Sequence, residues 1–194
     1  MENNNENKEM TAQQSLGIIT EMINNSRRTI LQNSAKHFLL WGILLTVTSL
    51  VIYELWHVTG SPIWNCAWFV MPALGFPIVR ILDGKHSDVP QNEINKQLGL
   101  IWLTYCIFAV IISVIAMLAV PMNISLVIAV LLGFAECISG FLLKNWTITI
   151  GGLILGIGGA VATSLIYNEA QLLIFTLGGI ILVVTGLIIK FQYK

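Results

Sequence analysis

Residues 123–144 read NISLVIAVLLGFAECISGFLLK. This run is long and apolar enough to cross a bilayer, because a membrane-spanning helix needs about 20 mostly apolar residues. It carries a single acid, Glu136, which lies roughly 12 Å inward from Lys144 at about 1.5 Å per residue. An ionisable side chain at that depth is costly, so Glu136 is the first candidate for a functional residue.

The composition of the whole chain agrees with this stretch. Of its 194 residues, 56% are hydrophobic and only 10% are charged, whereas a soluble domain carries roughly 25% charged residues. The sequence therefore predicts an all-α, polytopic membrane protein in which residues 37–190 form six transmembrane helices. The predicted spans are residues 38–56, 64–82, 98–120, 123–143, 146–167 and 172–189.

The segments outside the spans are polar. Residues 1–10 are rich in Asn and Glu and are predicted to be a disordered tail, and residues 191–194 form a cytoplasmic tail. No signal peptide is predicted, because the first apolar run begins only near Phe38.

Residues 11–36 are predicted to be an amphipathic helix. Thr11 and Gln14 match a capping box, and Leu16, Ile19 and Ile23 recur at helical spacing. We expect this helix to lie in the membrane interface or to dock on the inner ends of the spans. The alternative is a solvated helix that only orients the first span.

The distribution of positive charge predicts the orientation. The three short loops that precede spans two, four and six contain no Lys or Arg, and such a bias places the charged loops inside the cell. Both termini are therefore predicted to be cytoplasmic. The ten Lys and Arg residues are Lys8, Arg27, Arg28, Lys36, Arg80, Lys85, Lys96, Lys144, Lys190 and Lys194.

Small residues recur at intervals typical of close helix packing. Inside a membrane, helices associate where small side chains let their backbones approach. We predict that these residues form the packing seam of the last three spans, and a homodimer face is the alternative for the stripe on span five. The stripe is Gly152, Gly156, Ala160 and Ser164, facing Gly133 and Gly140 of span four and Gly179 and Gly186 of span six.

Span two contains two prolines, Pro72 and Pro77. A proline inside a helix removes a backbone donor and clashes with the preceding turn, so a kink is predicted here. Broken helices line the sites of many transporters. Proline is also common in membrane helices without such a role.

Glu136 shares a helix face with Gly133 and Gly140, so it is predicted to point into the bundle. Three hydroxyls at the same depth could hydrogen-bond a neutral carboxyl, and they belong to Thr46, Tyr105 and Thr185. Two interpretations stay open. Glu136 is either a proton or cation site on a transport path, or a neutral acid that joins helices by hydrogen bonds. At the outer end of span one, Glu54 and His57 form a weaker candidate pair.

No motif indicates an enzyme. The sequence has no nucleophile–base pair, zinc-binding motif or phosphate-binding loop, so no catalytic residue, metal or cofactor is predicted. The three cysteines, Cys66, Cys106 and Cys137, lie in apolar runs and are interpreted as packing residues. A net charge of zero predicts no direct nucleic-acid binding.

The segment from Gln13 through Arg27, followed by Leu39-Leu40-Trp41-Gly42, resembles a group of small, uncharacterised six-span inner-membrane proteins of Bacteroides-type bacteria. Proteins of this group are associated with small winged-helix regulators that are encoded near them. The resemblance therefore implies a regulatory partner on the cytoplasmic side. It supplies no site residues.

Two functions are therefore expected. The first is a non-enzymatic interaction or regulatory protein, with the lipid bilayer, a cytoplasmic regulatory protein and a further copy of itself as partners. The second is a small transporter or channel for a proton, an ion or a small solute that uses Glu136. A polar path to Glu136 would favour transport, and a tightly packed, hydrogen-bonded Glu136 would favour the first function.

Overall fold

The computed structural model describes residues 12–83, 93–119 and 122–193. These parts of the chain contain helices and no strands, and six of the helices are long and apolar enough to cross a membrane. This confirms the predicted all-α class with six candidate spans. The predicted tail at residues 1–10 and most of the loop at 83–97 lie outside the described residues.

The helices follow the chain in a simple order. Span two begins with eight residues of 3-10 helix, Pro62–Phe69, before it becomes α-helical, and span five contains one wider π turn, Ile154–Gly158. The helices are α1 (Ala12–Thr59), α2 (Val70–Asp83), α3 (Glu93–Leu118), α4 (Ile124–Leu143), α5 (Trp146–Leu165) and α6 (Gln171–Gln192).

The first helix is longer than predicted. The expected boundary between an amphipathic helix at residues 11–36 and a separate span is absent, because α1 runs unbroken for 48 residues. No Gly or Pro interrupts residues 18–41, so nothing in the backbone ends the helix there. At about 1.5 Å per residue α1 is roughly 72 Å long, more than twice the bilayer's hydrocarbon thickness. We call residues 12–36 the α1 extension.

Helices α1 and α6 pack side by side in opposite directions. A Cβ atom on Gly179 of α6 would lie 2.7 Å from the Gly42 carbonyl oxygen of α1 and would also overlap Thr46. A Cβ on Gly186 would lie 3.1 Å from the Ala35 carbonyl oxygen. The prediction that Gly179 and Gly186 pack against spans four and five is therefore wrong, since both face span one.

Helices α4 and α5 form the second close pair. A Cβ on Gly133 would overlap Gly156 and lie 2.6 Å from the Gly152 carbonyl oxygen. About two turns towards Lys144, Gly140 packs directly on Thr149 in the same way. Gly133, Gly140, Gly152 and Gly156 thus lie where the sequence placed them.

The predicted stripe on α5 changes course after Gly156. Ala160 is only half-buried and Ser164 is exposed, whereas Gly159 and Thr163 are buried. A Cβ on Gly159 would lie 3.1 Å from the Ala129 Cβ of α4. The packed face therefore passes from Gly156 to Gly159 and Thr163, and not to Ala160 and Ser164.

A two-residue turn joins α4 to α5. Lys144 has a left-handed backbone with φ of 51°, the conformation that commonly ends a helix. The Asn145 amide N–H donates to the Gly140 carbonyl oxygen at 2.9 Å, and its side-chain oxygen accepts from the Ile148 N–H at 3.1 Å. These bonds hold α4 and α5 as an antiparallel hairpin.

The irregular part of span two precedes Pro72. Pro72 follows the 3-10 segment and lies in the first turn of α2, and Pro77 lies inside α2. Because the proline ring clashes with the carbonyl four residues earlier, the 3-10 turns that end at Phe69 suit Pro72. Gly75 of α2 receives the Trp41 ring of α1, which would overlap any side chain at that position.

The inner core of the bundle comes from α1, α4, α5 and α6. Helix α3 contains no fully buried residue. Among the residues of α2 whose burial is described, only Gly75 is fully buried. Apolar side chains cover the outside of α3, including Leu103, Phe108 and Val114. An apolar outer surface of this kind suits contact with lipid.

Candidate functional site

Glu136 lies in the core of the bundle. Its relative exposure is 0%, and it sits on the packed face of α4 with Gly133 and Gly140, as the sequence predicted. The packing of α4 against α5 through Gly133 and Gly140 brings the α5 backbone close enough to cover the carboxyl group.

Two residues from other helices face this carboxyl group. The Glu136 Oε1 atom and the Thr185 Oγ1 atom of α6 each lie 2.9 Å from the place that a Cβ on Gly151 of α5 would occupy. The absent side chain of Gly151 therefore leaves room for both oxygens. Glu136, Gly151 and Thr185 form what we call the acid site.

Neither carboxyl oxygen has a hydrogen-bond partner. Both Oε1 and Oε2 of Glu136 are buried and unpaired in the structure. The predicted hydrogen bonds that would join helices through Glu136 are therefore not formed. Thr185 is next to the carboxyl group without bonding it, and it is 3% exposed.

The other two predicted hydroxyls lie in different places. The Thr46 hydroxyl donates to the Gly42 carbonyl oxygen of its own helix at 2.8 Å and packs on Gly179. The Tyr105 ring makes an edge contact with Trp102, with 5.8 Å between the ring centroids. Thr46 and Tyr105 were predicted because they lie at the same depth in the membrane as Glu136. Equal depth does not show which face of a helix is turned towards Glu136.

Among the described residues, neither α5 nor the part of α6 beside the acid site offers a counter-ion. Helix α5 has no titratable side chain, and on α6 the titratable residue is Lys190, near its C-terminal end. Burying an isolated carboxylate in an apolar interior is so costly that the neutral acid is favoured. The neighbouring thiol of Cys137 donates to the Thr149 carbonyl oxygen at 3.5 Å and does not bond Glu136.

Sequence reasoning missed Gly151 as a member of the acid site. The adjacent Gly151–Gly152 pair was the available signal, because two neighbouring glycines on one helix can face two different partners. Gly152 faces α4, where a Cβ would lie 2.9 Å from the Cys137 sulfur. Gly151 faces the acid and the hydroxyl.

The helix ends near Lys144 and Lys190 form a separate cluster around the base of the α1 extension. Ile30, Leu31 and Ala35 of α1 are buried against residues of α4, α5 and α6, which are Leu143, Ile148 and Ile189. The Gln32 side-chain amide donates to the Tyr193 carbonyl oxygen at 2.7 Å. This end of the extension therefore docks on the helix ends near Lys144 and Lys190. Docking on span ends was one of the predicted placements, and the cytoplasmic side stays a prediction.

The rest of the α1 extension projects beyond this cluster. Its apolar side chains are exposed, with Leu16 at 63%, Ile19 at 52% and Met22 at 64%. Polar side chains on the other face, such as Asn24 and Arg28, are exposed as well. The extension thus presents an apolar face that nothing in the described residues covers.

At the end of the bundle away from Lys144, His57 pairs with a residue outside its own helix. Its Nδ1 atom lies 3.5 Å from the Glu169 Oε1 atom, before α6. The ring also stacks on Tyr53, with 5.7 Å between centroids. The predicted pairing of His57 with Glu54 is wrong, because Glu169 is the acid that reaches the ring. Both side chains of this pair are solvent-accessible, so it is a weak connection.

Within residues 12–83, 93–119 and 122–193, no group of three or more His, Cys, Asp or Glu side chains could hold a metal ion. The free cysteines Cys66, Cys106 and Cys137 differ in environment: Cys66 is exposed and Cys137 is buried in the α4–α5 contact.

Comparison of the chain with protein-family models, curated proteins and solved structures gave no match. The resemblance to small inner-membrane proteins of Bacteroides-type bacteria therefore stays a prediction.

Proposed function

We propose that this chain is a non-enzymatic protein of the bacterial inner membrane that binds a cytoplasmic regulatory protein through the α1 extension. The observation that carries the proposal is the unbroken continuation of α1 beyond its span, with its apolar face exposed. At about 1.5 Å per residue, the extension reaches roughly 36 Å past residue 36.

The form of the extension suits a helix-in-groove interaction. Leu16, Ile19 and Ile23 follow the spacing by which an amphipathic helix inserts into an apolar groove. Its base is fixed by the Ile30–Leu31–Ala35 contacts, so the helix is presented in one direction. A partner with an apolar groove and acidic rim would match the apolar face and Arg28. The cytoplasmic placement rests on the distribution of Lys and Arg.

A matched crosslinking experiment tests this proposal. A photoreactive amino acid is placed at Ile19, on the apolar face, or at Asn24, on the polar face, of the full-length chain in native membranes. We expect position 19 to crosslink one defined cytoplasmic protein and position 24 to give little of that product. Tyr167, at the opposite end of the bundle, is the negative control. Lipid adducts or self-crosslinks alone from position 19 would refute the proposal.

Transport of a proton, an ion or a small solute is the second candidate function. The observation in its favour is the buried carboxyl group of Glu136 without a hydrogen-bond partner, since such groups commonly lie on ion pathways. The enclosure of Glu136 means that transport would need a second, open conformation. Reconstitution of the parent and Glu136→Gln in proteoliposomes tests this candidate. Flux that is never seen in the parent, or is equal in both, would remove it.

A further inference from the structure

We propose that the acid site is a proton-binding site whose occupancy controls whether α5 stays closed over Glu136. In the closed bundle Glu136 carries a proton, and it releases that proton to water only when α5 moves away from Thr185. The inference shares Glu136 with the second candidate function, but it needs no net flux, and it is independent of the α1 extension.

The first step of the argument concerns charge. Glu136 is fully buried, and neither of its oxygens accepts or donates a hydrogen bond. An ionised carboxylate in that state would lose its hydration without any replacement, which is far more costly than burying the neutral acid. The closed conformation therefore contains the protonated form.

The second step concerns the identity of the ligand. A metal cation needs several oxygen ligands, and Na⁺ or Ca²⁺ would require more than one carboxyl group and one hydroxyl. The acid site offers Glu136 and Thr185, whose oxygens share the space left by the missing side chain of Gly151. Of the titratable groups on the helices that pack on α4 or α6, Cys137 lies beside Glu136, Tyr105 and Cys106 lie within α3, and none lies between residues 38 and 52 of α1. The others lie towards the helix ends, such as Lys36 and His37 of α1, Lys96 of α3 and Lys190 of α6. A single proton fits this site.

The third step concerns the moving part. Gly151 lies directly against both oxygens, and α5 contacts α4 mainly through glycines, at Gly152 and Gly156. Seams of small residues associate through backbone contact without interlocking large side chains, so we infer that α5 is the part that moves away from Glu136 and Thr185. When α5 moves, water reaches Glu136, the O–H bond breaks heterolytically, the proton passes to water and the carboxylate becomes hydrated.

Thermal unfolding of the purified full chain in detergent tests the proposal without a membrane gradient. Folding with a protonated Glu136 takes up a proton that the unfolded chain releases, so the stability of the parent must fall as the pH rises. We expect the unfolding midpoint of Glu136→Gln to match the parent at acidic pH and to exceed it increasingly towards alkaline pH. Glu136→Leu is the second neutral variant, should the glutamine variant not fold. Parallel pH profiles for parent and neutral variants would overturn the proposal.

Labelling of Cys137 tests the opening separately. In a chain with Cys66→Ala and Cys106→Ala, Cys137 is the remaining cysteine, and its rate of modification by a neutral maleimide is measured. The same rate is measured after adding Glu136→Gln, and the first rate is divided by the second. This ratio removes the intrinsic pH dependence of the thiol. We expect the ratio to rise several-fold from neutral to alkaline pH, and a flat ratio would overturn the opening of α5. A rise abolished by replacing choline with Na⁺ would assign the site to a metal cation and overturn the proton assignment.

Discussion

The Ser49 hydroxyl of α1 lies 2.9 Å from the Thr176 hydroxyl of α6, buried between the first and the last helix of the bundle. Each hydroxyl also lies within hydrogen-bond distance of a carbonyl oxygen of its own helix, Leu45 for Ser49 and Leu172 for Thr176. Because each hydroxyl has a single proton, one of them donates to the other hydroxyl and the other donates within its own helix. The pair therefore joins the two ends of the chain in the middle of the α1–α6 contact. It is flanked by the Gly42–Gly179 approach on one side and the His57–Glu169 pair on the other.

The Ser49–Thr176 contact is expected to contribute modestly to stability. Hydrogen bonds between membrane helices measured by double-mutant cycles average about 0.6 kcal/mol, because the separated helices find other partners. Ser49→Ala, Thr176→Val and the double variant should give a coupling energy of that size in detergent unfolding. A coupling energy near zero would show that the two hydroxyls do not interact.

Gly179→Ala should strongly destabilise the α1–α6 contact. The added Cβ would lie 2.7 Å from both the Gly42 carbonyl oxygen and the Thr46 backbone nitrogen, so a helix must move. Overpacking of this kind costs about 1–3 kcal/mol. The neighbouring Gly178→Ala is the control, because its Cβ would meet only the Leu155 side chain, at 3.6 Å. Equal unfolding midpoints for the two variants would contradict the proposed seam.

Gly133→Ala should disrupt the α4–α5 pair in the same way, since its Cβ would overlap the Gly156 backbone. Gly158→Ala, on the α5 helix that Gly133 contacts, is the control, because nothing lies within 4 Å of its Cβ. Replacing a helical glycine by alanine in open space gains about 0.5–1 kcal/mol. We expect Gly133→Ala to lower the free energy of unfolding and Gly158→Ala to raise it. A lower free energy of unfolding for Gly158→Ala would show that the described position of α5 is wrong.

Glu169→Gln should change stability very little. The His57–Glu169 pair is solvent-accessible at 3.5 Å, and exposed ion pairs typically contribute about 0–1 kcal/mol. The unfolding midpoint should therefore stay close to that of the parent at low and at high salt. A large loss that disappears in high salt would mean that this pair holds the outer ends of α1 and α6 together.

The sequence was sufficient to predict the six spans and insufficient to predict which helices pack against one another. Runs of apolar residues predict where helices cross a membrane because the bilayer fixes their length, and the six predicted spans match six helices. Helical spacing also identified the glycines that bring α4 and α5 together. It could not show that Gly179 and Gly186 face α1, because a small-residue stripe defines a face of its own helix and not the helix that meets it.

The acid site illustrates the same limit. Burial of Glu136 on the glycine face of α4 followed from the sequence, and Thr185 lies beside it. Thr46 and Tyr105 were equally reasonable by depth, and they lie in other contacts because rotation about each helix axis decides which hydroxyl faces the acid. The continuity of α1 was missed for another reason: amphipathic and membrane-spanning patterns differ in hydrophobicity, but both are compatible with a single uninterrupted helix.

The orientation of the bundle is the claim on which the proposed function depends most. Trp146 and Tyr167 flank α5 at opposite ends and are 72% and 69% exposed. The three natural cysteines are replaced by alanine, and a single cysteine is introduced at one of these two positions. Intact cells that express each variant are then treated with a membrane-impermeant maleimide. We predict that Tyr167→Cys reacts in intact cells and Trp146→Cys reacts only after permeabilisation. Reaction of Trp146→Cys in intact cells would contradict the cytoplasmic placement of the termini and of the α1 extension.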